Sequence, residues 1–223
     1  METRKTMKKI GLLFIGLCIS ISAMGQTNSS EAKKMLDEVS DKMGTYRNMV
    51  IGFNSSLINR EAGITNDPPI RGVITLSGEK YNLDYLGNTF IFDGKKLVVI
   101  NQDEKEVSIN NGNLDEEDGF IYPSKLLTFY KEGYNYQMGA LKNSNGRKVQ
   151  YIELTPIDSN SDIVKVQLGI DAKTKHIYKL TQIGSNGAET TFTITKFKSN
   201  QPISAQLFSF DRTKYAKQGY YID

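Results

Sequence analysis

Residues 81–100 read Tyr81-Asn82-Leu83-Asp84-Tyr85-Leu86-Gly87-Asn88-Thr89-Phe90-Ile91-Phe92-Asp93-Gly94-Lys95-Lys96-Leu97-Val98-Val99-Ile100. Apolar and polar residues alternate from Tyr81 to Tyr85, and the chain can turn at Leu86-Gly87-Asn88. Thr89 to Phe92 then runs into a second turn at Asp93-Gly94 before Leu97 to Ile100. Gly, Asn and Asp accept the positive φ of tight hairpin turns, so the stretch predicts consecutive antiparallel strands. A parallel return is barred at these connection lengths, because a crossover takes about a dozen residues or more.

The same pattern extends outward. Upstream, period-two segments run around Met49 to Asn59 and from Gly72 to Leu76, with Ser77-Gly78-Glu79 to turn the chain; downstream, Val107 and Ile109 follow the charged loop Asp103 to Glu106. The second half repeats the style at Lys148 to Thr155, Ile163 to Ile170, Ile177 to Ile183 and Thr190 to Lys198. These segments predict one antiparallel sheet of about nine strands. Ahead of them, Ala32, Met35, Leu36, Val39 and Met43 recur at helical spacing, Asn28 with Glu31 resembles a capping box, and Gly44 is a stop. A helix over about 29 to 43 follows. Between the two halves, Asn110 to Asp118 is polar and acidic, and Pro123 to Gly133 reads as a short helix that can cover a sheet.

Ile74, Leu76, Tyr81, Leu83, Tyr85, Phe90, Phe92, Leu97 and Val99 form an apolar stripe expected on one face of that sheet. Two short helices are thin cover for it, so a residual apolar concavity is one expectation. The other is a closed barrel filled by its own side chains.

The first residues form a basic stretch leading into an apolar run from Ile10 to Ala23, followed by Ala23-Met24-Gly25. This is the layout of a secretory signal, and the run falls short of the roughly 20 residues a permanent span needs. Residues 1–25 are therefore expected to be a cleaved signal peptide, with 26–223 a single periplasmic domain. Cys18, the one cysteine, lies inside the signal and follows Leu17, which disfavours lipid attachment. Without residues 1–25, the 28 basic and 25 acidic residues become 24 of each, so the charge that nucleic-acid binding requires is missing. No disulfide can form in the mature chain, and the core must be hydrophobic.

Catalytic and metal chemistry find little footing. The single histidine, His176, follows a turn and reads as ordinary surface; zinc sites and histidine triads lack their partners. Asp115-Glu116-Glu117-Asp118 lacks the alternate spacing of a calcium loop, and Asp84, Asp93 and Glu153 are not marked as a carboxylate pair. No cofactor, metal or enzymatic activity is expected.

The order of segments resembles the outer-membrane lipoprotein carrier family, the LolA-like proteins. The resemblance rests on Ala32-Lys-Lys-Met-Leu-Asp-Glu-Val, Met43-Gly-Thr-Tyr-Arg leading to Phe53, Gly72-Val-Ile-Thr-Leu, Tyr81-Asn-Leu and Phe92-Asp93-Gly94-Lys95-Lys96-Leu97. It continues through Val166 to Ile170, His176-Ile-Tyr-Lys-Leu, Thr191-Phe-Thr-Ile and Phe208-Ser-Phe-Asp. It implies a mainly β, α+β fold: an open antiparallel half-barrel with an N-terminal helix and a short helical lid over the concave face. The cavity would hold acyl chains, lined by the stripe above together with Leu126, Leu127 and Tyr130; Leu126, Leu127, Phe129 and Tyr130 are expected as the apolar face of the lid, and Tyr122, Tyr130, Tyr134 and Tyr136 around its rim. Implied partners are acylated lipoproteins, an inner-membrane exporter that loads the carrier and a receiving acceptor at the outer membrane; a monomer is expected. The alternative is an envelope module of the same fold that senses lipid or protein without transport. Lys80 stands where the resemblance implies an arginine latching the lid, and an ammonium lacks the guanidinium fork. Burying a long alkyl chain fully, at about 0.8 kcal/mol per methylene, would exceed about 10 kcal/mol and block release. A carrier must therefore bury chains partly, or let cargo compete with its own lid.

Overall fold

The computed structural model describes residues 29–112 and 129–223. Residues 29–44 form helix α1. Twelve strands follow: β1 (Met49–Ile58), β2 (Ile70–Ser77), β3 (Lys80–Tyr85), β4 (Asn88–Phe92), β5 (Lys96–Asn101), β6 (Glu106–Asn111), β7 (Tyr134–Ser144), β8 (Arg147–Pro156), β9 (Ile163–Asp171), β10 (Ile177–Gly184), β11 (Glu189–Ser199) and β12 (Tyr221–Ile222). A short helix α2, Arg212–Lys217, precedes β12. All strands join one sheet in the order β12-β6-β5-β4-β3-β2-β1-β11-β10-β9-β8-β7. Its two edges, β12 and β7, do not pair with each other, so the sheet is open and the closed-barrel expectation falls.

Turn chemistry sets the hairpins. Leu86 and Gly87, at φ 54° and 73°, join β3 to β4; Asn145 and Gly146, at 48° and 76°, join β7 to β8. Positive φ at both central residues matches the right-handed twist of the flanking strands. Two strands exceed the sequence expectation. In β7, Tyr134, Tyr136 and Met138 alternate as a strand should, but an irregularity between Met138 and Leu141, at Gly139-Ala140, interrupts the period. β12 pairs with β6 in parallel, an exception to the all-antiparallel expectation. It escapes the connection-length rule because about half of the chain, residues 112–220, lies between the two strands.

The sheet wraps around α1. Ala32, Leu36, Val39 and Met43 are buried, and the cluster that contains them runs from Leu97 on β5 to Ile152 on β8. Those strands stand eight places apart, about 38 Å in a flat sheet at 4.8 Å per strand. One helix of about 10–12 Å diameter can centre a cluster that wide only if the sheet curls round it. The face toward α1 is therefore the concave one.

The opposite face carries a second core, contrary to the expectation that apolar positions fall mostly on one side. Ile91, Val98, Ile100 and Val107 are buried there against Phe210, Tyr215, Tyr220 and Ile222. Leu97-Val98-Val99-Ile100 is apolar without alternation because it is covered on both faces. The cover is fastened by Asn82 Nδ2 donating to the Leu207 carbonyl at 2.9 Å, and Asp211 caps α2 by accepting from the Lys214 N–H at 2.9 Å.

Candidate functional site

Directly paired residues of neighbouring strands share a face, so register orders the concave floor into rows. The row nearest the end of α1 is Met49, Leu76, Tyr81, Phe92 and Leu97, all buried. In the next, Ile51, Ile74 and Leu83 are buried, whereas Phe90 and Val99 are partly exposed. The third holds Phe53, Gly72 and Tyr85. Beyond it on the same face stand Ile70, 44% exposed, and Leu57, 41% exposed. The floor thus grades from closed to open along the strands. All nine residues of the expected stripe lie on this one face, and six of them are buried core.

Aromatic packing shapes the open end. The Phe53 ring lies over Gly72, where an added Cβ would collide with it. Phe53 also packs against Tyr85 at 5.5 Å and, edge-on, against Phe192 at 5.7 Å. The Tyr85 hydroxyl hydrogen-bonds the buried Ser55 hydroxyl at 2.8 Å, which gives each of these two polar groups a partner.

On the other half of the sheet, Ile152, Leu168, Leu180 and Phe192 form a row above which β7 contributes Met138. The first three are buried. A single turn of 3-10 helix, Phe129–Lys131, packs against α1 here. The Tyr130 hydroxyl donates to the Leu36 carbonyl at 2.7 Å, and the Tyr136 hydroxyl donates to the Tyr130 carbonyl at 2.7 Å. Burial raises the Tyr130 and Tyr134 phenols above their ordinary value, so both stay neutral. Tyr130 is therefore a buried tie between turn and helix, not an exposed rim residue. Leu126, Leu127, Tyr122 and the acidic run Asp115 to Asp118 lie outside the described residues, as do Asn28 and the expected signal.

The C-terminal half of α1 is tied to the β9–β10 connection. Lys42 Nζ donates to the Thr174 carbonyl at 2.6 Å, and Lys175 pairs with Glu38 at 3.5 Å. His176 Nε2 hydrogen-bonds the Tyr46 hydroxyl at 2.9 Å, and its ring stacks on Phe197 at 4.2 Å. This corrects the surface reading of His176: burial, helped by the charge of Lys42 and opposed by Asp171, lowers its pKa below the ordinary value. Lys80 is exposed and shares the face of Asn82 and Asp84, away from α1, with its charge beside Asp93. Among the described residues, the hydrogen bond from the Phe129–Lys131 turn to α1 comes from Tyr130, whose buried hydroxyl no motif in the sequence announces.

The three carboxylates weighed for hydrolysis serve structure. Asp84 accepts from Thr89 at 2.7 Å, Glu153 pairs with Lys165 at 3.1 Å, and Asp93 accepts both the Lys95 and Lys96 N–H groups at 2.8 Å. The Lys96 N–H contributes most to holding Asp93 below the usual carboxylate range. Among the described residues no group of three or more His, Cys, Asp or Glu is placed to hold a metal ion, and no helix is long and apolar enough to cross a membrane.

Comparison with curated proteins finds no match. Solved structures do match. A conserved protein of uncharacterized function from Thermus thermophilus is 9% identical, with TM-score 0.55 over 82% of this chain and 95% of that one. At that identity the shared property is the fold. A LolA superfamily protein from Nitrosomonas europaea is 10% identical, with TM-score 0.42 over 80% and 97%. The lipoprotein LppX of Mycobacterium tuberculosis is 15% identical, with TM-score 0.46 over 77% and 98%. The family model described as outer membrane lipoprotein carrier protein LolA matches residues 85–211, more than half of the chain, which therefore belongs to that family.

Proposed function

We propose that this protein is a non-enzymatic carrier of the cell envelope that shelters the acyl chains of lipoproteins between its curved sheet and α1. In this reading residues 1–25 direct export and are removed, and 26–223 act as one domain in the periplasm. An inner-membrane exporter loads it, and cargo leaves toward the outer membrane. The observation that carries the reading is the graded concave floor: a continuous apolar surface that is sealed at the row of Leu76, Tyr81, Phe92 and Leu97 and partly exposed at Tyr85, Phe90 and Val99. An acyl chain entering at the exposed end gains burial there without displacing the sealed rows, which keeps the binding free energy below that of full burial. Deeper entry past Ile74 and Leu83 requires α1 or the Tyr130 turn to yield, with Leu126 and Leu127 as further proposed contacts.

The test is displacement of a fluorescent fatty acid from the purified protein. Phe90→Asp should weaken binding about tenfold or more, since it sets a charge on the apolar floor. Unchanged binding would remove Phe90 and its neighbours from the site. Release of lipoprotein from spheroplasts into the soluble fraction by the added protein then distinguishes carrier from sensor. A protein that binds fatty acid yet releases nothing is an envelope binding module of the same fold.

A further inference from the structure

The apolar floor ends on a polar pocket. Leu180 pairs with Phe192 and Leu168, and the next row along the same face pairs Gln182 with Thr190 and with Val166. Gln182 and Thr190, with Asp162, Ser185, Asn186 and the buried core residue Ile163, line a pocket of about 380 Å³. Its wall is a fixed turn: the Ser185 N–H donates to the Asp162 carbonyl at 2.8 Å, the Gly184 N–H to the Ala188 carbonyl at 2.8 Å, and the Ala188 N–H to Asn186 Oδ1 at 3.0 Å. A ligand whose tail lies along the half-buried rings of Tyr85 and Phe192, 6.4 Å apart, therefore brings its head to this pocket, one row beyond Phe192.

The chemistry of the lining is selective. It offers amide, hydroxyl and carboxylate groups, and none of the described residues that line it is basic. A second carboxylate, Glu61, stands beside Gly187 of the same turn. Phosphate recognition calls for guanidinium, ammonium or clustered N–H donors, and a carboxylate beside a phosphate repels it. An ester, amide or hydroxyl head finds both donors and acceptors. An envelope protein that binds acyl chains meets phospholipids whose chains match those of its cargo, so the tail cannot discriminate and the head must.

Resting on the proposed acyl-chain function, we propose that this pocket is a head-group subsite. It takes the uncharged glyceryl-ester and peptide-amide head of an acylated peptide and turns away phosphate-headed lipids. Asp162 supplies the repulsion, and Gln182 and Thr190 supply the hydrogen bonds.

The experiment is competition of an N-acetylated dipalmitoylglyceryl-cysteinyl peptide amide, whose head is uncharged, and of dipalmitoyl phosphatidylglycerol, each against a bound fluorescent fatty acid. The lipopeptide should compete at about tenfold lower concentration, the factor that one or two net hydrogen bonds supply. Asp162→Lys, at an exposed position, should bring that ratio to about threefold or less by admitting the phosphate, and Gln182→Leu should lower it by weakening the lipopeptide. Equal competition by both lipids, or a preference that survives Asp162→Lys and Gln182→Leu in variants that unfold at the wild-type temperature, would overturn the subsite while leaving acyl binding intact. Failure of the wild-type protein to bind the fluorescent fatty acid would refute the acyl-chain function, and the subsite with it.

Discussion

The two faces of the sheet solve the same problem differently. On the convex side, the apolar patch of Ile91, Val98, Ile100 and Val107 is covered by the end of the chain, where Phe210 stacks on Tyr215 at 5.2 Å and Tyr220 meets Tyr215 edge-on at 5.1 Å. On the concave side, the described residues that cover a much longer floor are those of α1 and one turn, and its outer rows keep Phe90, Val99, Tyr85, Ile70 and Leu57 in partial contact with solvent. A patch spanning three strands can be closed by a short segment that lies against it. Among the described residues, a floor shared by ten strands is left partly uncovered by one helix and one turn.

The contrast is broken first by deleting core. Leu168→Ala, in the fully buried part of the concave face, should destabilise the protein by about 3 kcal/mol in chemical denaturation. Tyr215→Ala, on the convex cover, should cost about 1–2 kcal/mol and leave fatty-acid displacement unchanged. Weaker fatty-acid binding in Tyr215→Ala would mean that the two faces are not independent. A smaller effect sharpens the role of the tie. Tyr130→Phe removes the hydrogen bond to the Leu36 carbonyl and should cost about 1 kcal/mol, with faster amide exchange in α1 than in the strands. Equal acceleration throughout would assign Tyr130 to global stability alone.

The smallest effect is a pH dependence at the fastened end of α1. Burial holds the His176 imidazole below its ordinary value of 6.5, so the unfolded chain binds this proton more readily than the folded one. The contribution is complete above 6.5 and declines as pH falls from there toward the folded value. The groups facing the ring are Tyr46, Phe197, Lys42 and Asp171. His176→Gln should therefore flatten the fall in unfolding temperature between about pH 7 and pH 5.5, and an unchanged slope would place the titration elsewhere.

Much of this architecture is legible in residues 81–100, because alternation and Gly-containing turns are local signals that survive without knowledge of partners. The stripe from Ile74 to Val99 follows from the same alternation, and register sets all nine of its residues on one face. The strand β7 has a signal as well, in Asn145-Gly146, but the irregularity at Gly139-Ala140 hides its period. Tyr130 and the pocket at Gln182 have none. A phenol that reaches Leu36 across 94 positions, or an amide that lies beside Thr190 because two strands pair, depends on pairings no local pattern encodes.

By itself, the sequence determined strand content, hairpin order, the amphipathic α1 and the apolar stripe, because each follows from backbone sterics and from hydrophobic periodicity within a few residues. The open sheet is the one the family resemblance implied, though the residue pattern left closure undecided, and tertiary structure alone decided that Phe210 to Ile222 cover the convex side and that one end of the concave floor meets a polar pocket. Those outcomes depend on how much area each covering segment can reach, and reach is a property of the folded arrangement.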